Sequence, residues 1–368
     1  MPAVAILGPR QCGKTTLAQS IIKGMKHSIY LDLERRADIN KLRDPEAFFN
    51  LNPGKLICLD EIQRVPGLFT ELRSRIDRAG ENGQFLILGS ASPQLIKQTS
   101  ESLAGRIAFI ELTPFTLNEV AEVYSSEIMR NLWLRGGFPR SYLAEDDHSS
   151  FEWRQDFIRT FLERDIPQLG IKIPTPRLER FWRMCAHIHG RLLNRSGLGS
   201  SLGVSHHTIN SYLEILEQTY LLRVLPPYHT NIKKRIVKSP KVLFRDSGLL
   251  HALLGIETHN DFLGHPVYGS SWEGFVIENV IAAHPDWKPH FYRSASGAEI
   301  DLIMEKGLKR IALEVKASTA PEVRRSFWTA LKDLGITKAW IVAPVETMYP
   351  YKNGVNVIPP WQVSEVIR

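Results

Sequence analysis

Cysteine is scarce in this chain: Cys12, Cys58 and Cys185 are the three in 368 residues. They are scattered without a pairing pattern, which excludes a disulfide-stapled scaffold and fits a reducing compartment. Long apolar runs are missing as well. No stretch of about 18 apolar residues occurs, so no membrane span is expected. The start Met1-Pro2-Ala3-Val4-Ala5-Ile6-Leu7-Gly8 lacks the basic residues and long apolar core of a signal peptide. Together these absences lead to a cytoplasmic expectation. What is present suffices for real cores: 43% of residues are hydrophobic, 23% charged and 9% aromatic. That balance excludes a disordered or collagenous polypeptide. At about 150 residues per domain, the length predicts two or three domains.

The formal net charge of +7 is unevenly spread. Residues 1–150 balance, residues 151–265 carry six more basic than acidic residues, and the remainder carries one more. An excess of this size favours a nucleic-acid surface only weakly by itself.

Val4-Ala5-Ile6-Leu7 is a short apolar run that predicts a buried strand. It enters Gly8-Pro9-Arg10-Gln11-Cys12-Gly13-Lys14-Thr15, which satisfies G-x-x-x-x-G-K-[ST] at every fixed position. Thr16-Leu17-Ala18-Gln19-Ser20-Ile21-Ile22 then follows helical spacing. Strand, glycine loop and helix are the context in which backbone N–H groups wrap phosphates. Lys14 is expected to reach the β- and γ-phosphates, and the Thr15 hydroxyl to hold Mg²⁺. The cofactor-binding candidates are therefore Gly8, Pro9, Arg10, Gln11, Cys12, Gly13, Lys14, Thr15 and Thr16.

Lys55-Leu56-Ile57-Cys58-Leu59-Asp60-Glu61 reads as an apolar strand ending in two acids. Asp60 is expected to hold Mg²⁺ through water, and Glu61 to polarise the attacking water. A third strand, Phe85 to Ser92, ends in small polar residues, with Ser90 a candidate γ-phosphate sensor. Arg106 is a candidate arginine finger; a surface salt-bridge partner is the plainer reading of it.

These motifs resemble a family of prokaryotic AAA+-type P-loop ATPases whose C-terminal half is a domain of unknown function. Leu103-Ala104-Gly105-Arg106, Leu134-Arg135-Gly136-Gly137-Phe138-Pro139 and Arg164-Asp165-Ile166 continue the pattern over nearly the whole chain. Members of that family usually carry a helical stretch before the first strand, whereas this chain starts at the strand. The resemblance implies ATP as the nucleotide. It also implies a homo-oligomer in which one subunit's arginine completes its neighbour's site, although a monomeric switch would serve as well.

Residues 116–190 show helical spacing, with Trp133, Phe157, Phe161, Phe181 and Trp182 as expected core, and are read as a helical lid. Asp146-Asp147-His148-Ser149-Ser150 is expected as a surface loop. In residues 191–260 a helix, a Gly-containing turn and a second helix capped by Ser205 predict a winged helix-turn-helix. Its second helix would offer His206, His207 and Asn210 to a major groove. The basic connection holding Lys233, Lys234 and Arg235 could touch phosphates. Winged helices also serve as packing modules, so DNA is one of two readings.

Residues 261–368 hold a helix candidate from Trp272 to Ile281 and two strands, Gly297 to Met304 and Arg310 to Ala317. Adjacent strands would bring Asp301, Glu314 and Lys316 together. Carboxylates of this kind bind Mg²⁺ or Mn²⁺, and Lys316 would orient a metal-bound water. Acid, hairpin and Glu-x-Lys resemble the PD-(D/E)XK nuclease superfamily. The resemblance implies a helix acid, which Glu273 matches best, with Glu278 as runner-up. The overall expectation is an α/β protein in four segments: 1–115 an ATPase core, 116–190 a lid, 191–260 a winged helix, and 261–368 a nuclease-like domain. It is read as a Mg-ATP hydrolase coupled to a DNA-binding, nuclease-like half. The alternative is a regulatory or scaffold switch whose nuclease-like site does not cut.

Overall fold

In strand β1 (Ala3–Gly8), Ala3, Ala5 and Leu7 face one core, while Val4 and Ile6 face another. Strand β3 (Leu56–Asp60) repeats this, with Ile57 and Leu59 on one side and Cys58 on the other. Burial on both faces is what a parallel sheet covered by helices requires. Strands β2 (Ser28–Asp32), β4 (Phe85–Ser90) and β5 (Ile107–Glu111) complete it, in the order β2-β3-β4-β1-β5, every pair parallel. A parallel sheet puts all strand C-termini at one edge, where open α/β sheets bind ligands.

The computed structural model describes residues 1–90, 102–120, 124–229 and 236–367, with Ser90 described by its backbone alone. The chain divides into two compact units: Met1–Pro114 with Gln218–Tyr220, and Phe115–Glu217 with Leu221–Arg368. The first holds the parallel sheet.

In the second unit, the helices Ser126–Arg135, Asp147–Thr160 and Thr175–His187 share one continuous core with the segments that follow. Trp133, Phe157, Phe161, Phe181 and Trp182 are all buried in it. One expectation fails here. Asp146 to Ser150 is not a loop: Asp146 caps a helix, its side chain accepting the Ser149 N–H at 2.7 Å. A short acid ahead of free backbone N–H groups stabilises a helix start, so an apparent turn becomes a cap.

The helix Arg195–Leu202 ends at Gly203, whose φ of 65° only glycine adopts at no cost. The helix His206–Gln218 begins after Ser205, whose hydroxyl accepts the Thr208 N–H at 3.1 Å. Strands β6 (Leu222–Leu225) and β7 (Lys241–Phe244) then pair antiparallel. The basic connection with Lys233, Lys234 and Arg235 lies outside the described residues.

A mixed six-stranded sheet completes the second unit. It comprises β8 (Lys288–Arg293), β9 (Glu299–Lys306), β10 (Lys309–Val315), β11 (Ala339–Val342), β12 (Tyr349–Lys352) and β13 (Val355–Ile358), in the order β12-β13-β11-β10-β9-β8. The helices Tyr268–Ala283 and Arg325–Leu334 pack against its two cores. No helix among the described residues is long and apolar enough to cross a membrane.

Candidate functional site

Gly8 ends β1 where a side chain would not fit: a Cβ there would stand 2.2 Å from the Leu112 carbonyl oxygen. The loop then turns through Gln11 at φ 62° and Gly13 at φ 102°, and Lys14 opens a helix. The resulting cradle is lined by backbone N–H groups at a helix N-terminus. Lys14 is almost wholly buried, and its Nζ donates to the carbonyls of Pro9 at 2.6 Å and Gly8 at 3.2 Å. The ammonium thus sits at the loop's own mouth. Cys12 is buried against Leu112, and burial raises its thiol pKa.

Asp60 ends β3, two strands from β1 with β4 between them. Its Oδ2 accepts the Thr15 hydroxyl at 2.8 Å and the Tyr30 hydroxyl at 2.5 Å. The two side chains expected to share a magnesium ion are therefore already in contact. Burial, then the hydrogen bond to Asp60, raises the Tyr30 pKa, keeping Tyr30 a donor. Glu61 lies next in the chain with φ 57°, a left-handed conformation a non-glycine residue seldom takes. Its carboxylate accepts the Gln63 side-chain amide. Burial pushes its pKa up, against the pull of Lys14 and Arg10. A carboxylate so raised is a better base near neutrality. At the end of β4, the Ser90 backbone stands opposite Gly8 in the ladder. Lys14, Thr15, Asp60 and Glu61 fit a magnesium-bound nucleotide by donor set and position.

Arg106 does not join them. It precedes β5, and its carbonyl accepts the Ala3 N–H at the N-terminal end of β1, the edge opposite the glycine loop. Its guanidinium grips Asp77 with two bonds, of 2.5 and 3.0 Å. In this fold Arg106 is an ion-pair partner within its own unit and not a finger for its own nucleotide site.

In the second unit, the antiparallel register pairs Leu302 with Leu313. It sets Asp301 and Glu314 opposite each other where that pairing ends. Like charges directly across strands repel, so they need cations or protons. Asp301 Oδ2 accepts the Val315 N–H at 2.9 Å. Glu314 Oε1 accepts Lys316 Nζ at 2.6 Å. Glu273, on the helix Tyr268–Ala283, belongs to the same electrostatic cluster. Glu278 does not. Five residues on, it faces another way on the helix and is held by Arg223 at 2.6 and 2.9 Å, with Arg245 at 3.5 Å.

Lys241, the first residue of β7, is the member sequence reasoning missed. Its Nζ lies 2.8 Å from Glu273, 3.5 Å from Glu299 and 3.9 Å from Asp301, with a side chain 4% exposed. Burial alone would depress its pKa, but the three carboxylates raise it instead, so it stays protonated. Burial raises the pKa values of Glu273 and Glu314. No group of three or more acids, histidines or cysteines among the described residues stands at metal-holding geometry. Glu273, Asp301 and Glu314 are the acids expected to bind metal, but most of their oxygens already have partners. Glu314 Oε2 is buried with no hydrogen-bond partner among the described residues.

His206 and His207 are exposed at the start of their helix. Asn210 is less available, because its side-chain oxygen accepts Arg195 Nε at 2.7 Å. Two other histidines are structural. His251 bonds the Leu134 carbonyl and the Ser271 hydroxyl at 2.9 and 2.8 Å. His189 accepts the Phe244 N–H at 3.0 Å and bonds the Ser270 carbonyl at 3.0 Å. Burial lowers their pKa values to about 3 and about 4.

Comparison with known proteins places a different family description on each part of the chain. Residues 1–121 match the family described as an AAA domain. Residues 126–260 and 268–363 match two domains of unknown function, DUF8612 and DUF4143. An uncharacterized protein of Mycobacterium tuberculosis is 41% identical over 98% of this chain and 81% of its own length. Another, of Haemophilus influenzae, is 24% identical over 68% of each. Among solved structures, Thermotoga maritima RuvB is 20% identical with a TM-score of 0.28, over 61% of this chain and 83% of that one. The chain is a P-loop protein of the AAA+ ATPase class. It belongs to the family, shared with the mycobacterial protein, that joins an AAA domain to a C-terminal domain of unknown function.

Proposed function

We propose that the first unit binds and hydrolyses Mg-ATP, and that this cycle governs a DNA-binding, nuclease-like second unit. What supports the first half is the meeting of Lys14, Thr15, Asp60 and Glu61 at the C-terminal edge of a parallel sheet. ATP supplies the phosphoryl group and magnesium neutralises its charge. Lys14 exchanges the carbonyls of Gly8 and Pro9 for the β- and γ-phosphates. The loop N–H groups from Arg10 to Thr16 cradle the rest. Thr15 and Asp60 would hold the magnesium ion, which would supply charge neutralisation at the phosphates. Glu61 orients the attacking water, and Ser90 senses the γ-phosphate.

The second half rests on chemistry the second unit carries. Two helices followed by the β6–β7 hairpin support a winged-helix reading, with His206 and His207 exposed. Lys233, Lys234 and Arg235 would add phosphate contacts. Glu273, Asp301, Glu314 and Lys316 make up the nuclease-like set, for which Mg²⁺ or Mn²⁺ is the expected metal. A second reading is favoured by the partners these acids already have: an ATP-gated switch or scaffold whose nuclease-like site does not cut. ATP turnover by the full chain beside Lys14→Ala tests the first half; undiminished turnover in the variant would end it. Cleavage of plasmid and single-stranded DNA with Mg²⁺ or Mn²⁺, beside Glu314→Ala, separates the two readings of the second half.

A further inference from the structure

We infer that Lys241 is the resident cation of the carboxylate cluster, and that its ammonium group keeps a divalent metal ion out of it. Three carboxylates converge on that one Nζ, at 2.8, 3.5 and 3.9 Å. The Phe291 ring lies on it as well, 5.4 Å from Nζ to the ring centroid. This is the environment of a bound cation: oxygen ligands, an aromatic face and no water-exposed side.

The backbone that carries Lys241 is held from both sides. Lys241 pairs with Leu225 of β6 and bridges to Leu192. Leu193 donates to the Pro240 carbonyl at 2.8 Å, and Val242 to the Arg191 carbonyl at 3.2 Å. Such support fixes the ammonium in place.

A divalent ion needs six or more oxygen ligands at short range. With Lys241 in place, Glu314 Oε2 is the one buried carboxylate oxygen of the set without a partner among the described residues. The ammonium of Lys241 occupies Glu273 Oε1 and Asp301 Oδ1, so its loss would leave both without their cation. A lysine and a divalent ion cannot share them, because like charges at such separations repel strongly in a buried site. The lysine belongs to the β6–β7 hairpin, next to the helix pair proposed to meet DNA. The exclusion of a metal ion rests on these contacts and not on the nuclease-like reading.

The test uses the nucleotide-free full chain with Mn²⁺ alone as the probe, following bound Mn²⁺ by electron paramagnetic resonance and unfolding by thermal melting. Wild type is expected to bind Mn²⁺ weakly at this cluster, with no difference from Asp301→Asn. Lys241→Met is expected to melt lower, to regain its melting temperature with Mn²⁺, and to bind the ion at least tenfold more tightly. Adding Glu273→Gln should restore the melting temperature without metal and remove the Mn²⁺ response. If Lys241→Met does not fold, the wild-type comparison still decides. Tight Mn²⁺ binding by wild type that disappears in Asp301→Asn overturns the proposal, as does Lys241→Met binding no tighter than wild type. ATP turnover is not read in this experiment, so its failure is distinct from failure of the ATPase reading.

Discussion

Lys14 and Lys241 are both nearly inaccessible to solvent, yet their ammonium groups meet different partners. Lys14 rests on two backbone carbonyls of its own loop, at 2.6 and 3.2 Å. Neutral carbonyls hold a cation loosely enough for phosphate oxygens to replace them. Lys241 rests among carboxylates, on a strand hydrogen-bonded along both sides. The first arrangement is ready for an anion to arrive. The second is already neutralised and opens only if its cation leaves. A lysine in a motif is therefore not informative until its partners are known: carbonyls leave it free to act, and carboxylates use it up.

If that contrast is right, changes in the first unit should remove activity and spare the fold, and buried changes in the second should do the reverse. Lys14→Ala should lower ATP turnover by about a hundredfold or more, the scale of losing a positioned charge in phosphoryl transfer. Circular dichroism should show the same melting curve as wild type. Asp246→Ala should do the opposite. Asp246 accepts the N–H groups of Gly137 at 2.7 Å and Leu249 at 2.8 Å from a fully buried position near Arg154. Its removal should destabilise the second unit by roughly 3–5 kcal/mol, read by chemical denaturation. ATP turnover by the intact first unit is the control.

The next effect is acid-dependent. His189 and His251 are buried neutral, with pKa values lowered to about 4 and about 3. The unfolded chain binds their protons below about pH 6.5. Their contribution is therefore complete above that pH and is lost as the pH falls toward 4. Each histidine should cost roughly 1.4 kcal/mol per pH unit in that window. Melting of the second unit should fall accordingly, and a variant lacking both histidines should lose this slope. The smallest effect is a cap. Asn194 accepts the Gly197 N–H at 3.0 Å, so Asn194→Ala should cost about 1 kcal/mol in equilibrium denaturation.

The two regions also differed in how much of them could be read from residue order. The glycine loop was legible because its physics is local. Gly8, Gly13, Lys14 and Thr15 act through a single turn, and the strand before it and the helix after it announce themselves by spacing. Asp301, Glu314 and Lys316 were legible because strand alternation and a short hairpin bring them together. The resemblance put Glu273 ahead of Glu278, but the reason was visible only in the fold, where Arg223 and Arg245 claim Glu278. For Arg106 the sequence offered a finger or a salt-bridge partner, and only the fold showed its pairing with Asp77, because a motif does not say at which edge of a sheet it lies. Asp146 was misread because a cluster of short polar residues looks the same as a turn or as a cap.

Residue order by itself determined the phosphate loop, the acidic strand end and the two facing acids of the second sheet, since each depends on neighbours a few residues away or one hairpin across. Lys241 was decided only by the tertiary structure. Nothing in Lys-Val-Leu-Phe signals a buried cation, and its carboxylate partners stand on a helix and a strand far along the chain. Which charge ends up beside which in a low-dielectric interior is settled by how the elements pack, because the interaction depends on distance in space and not on order along the chain.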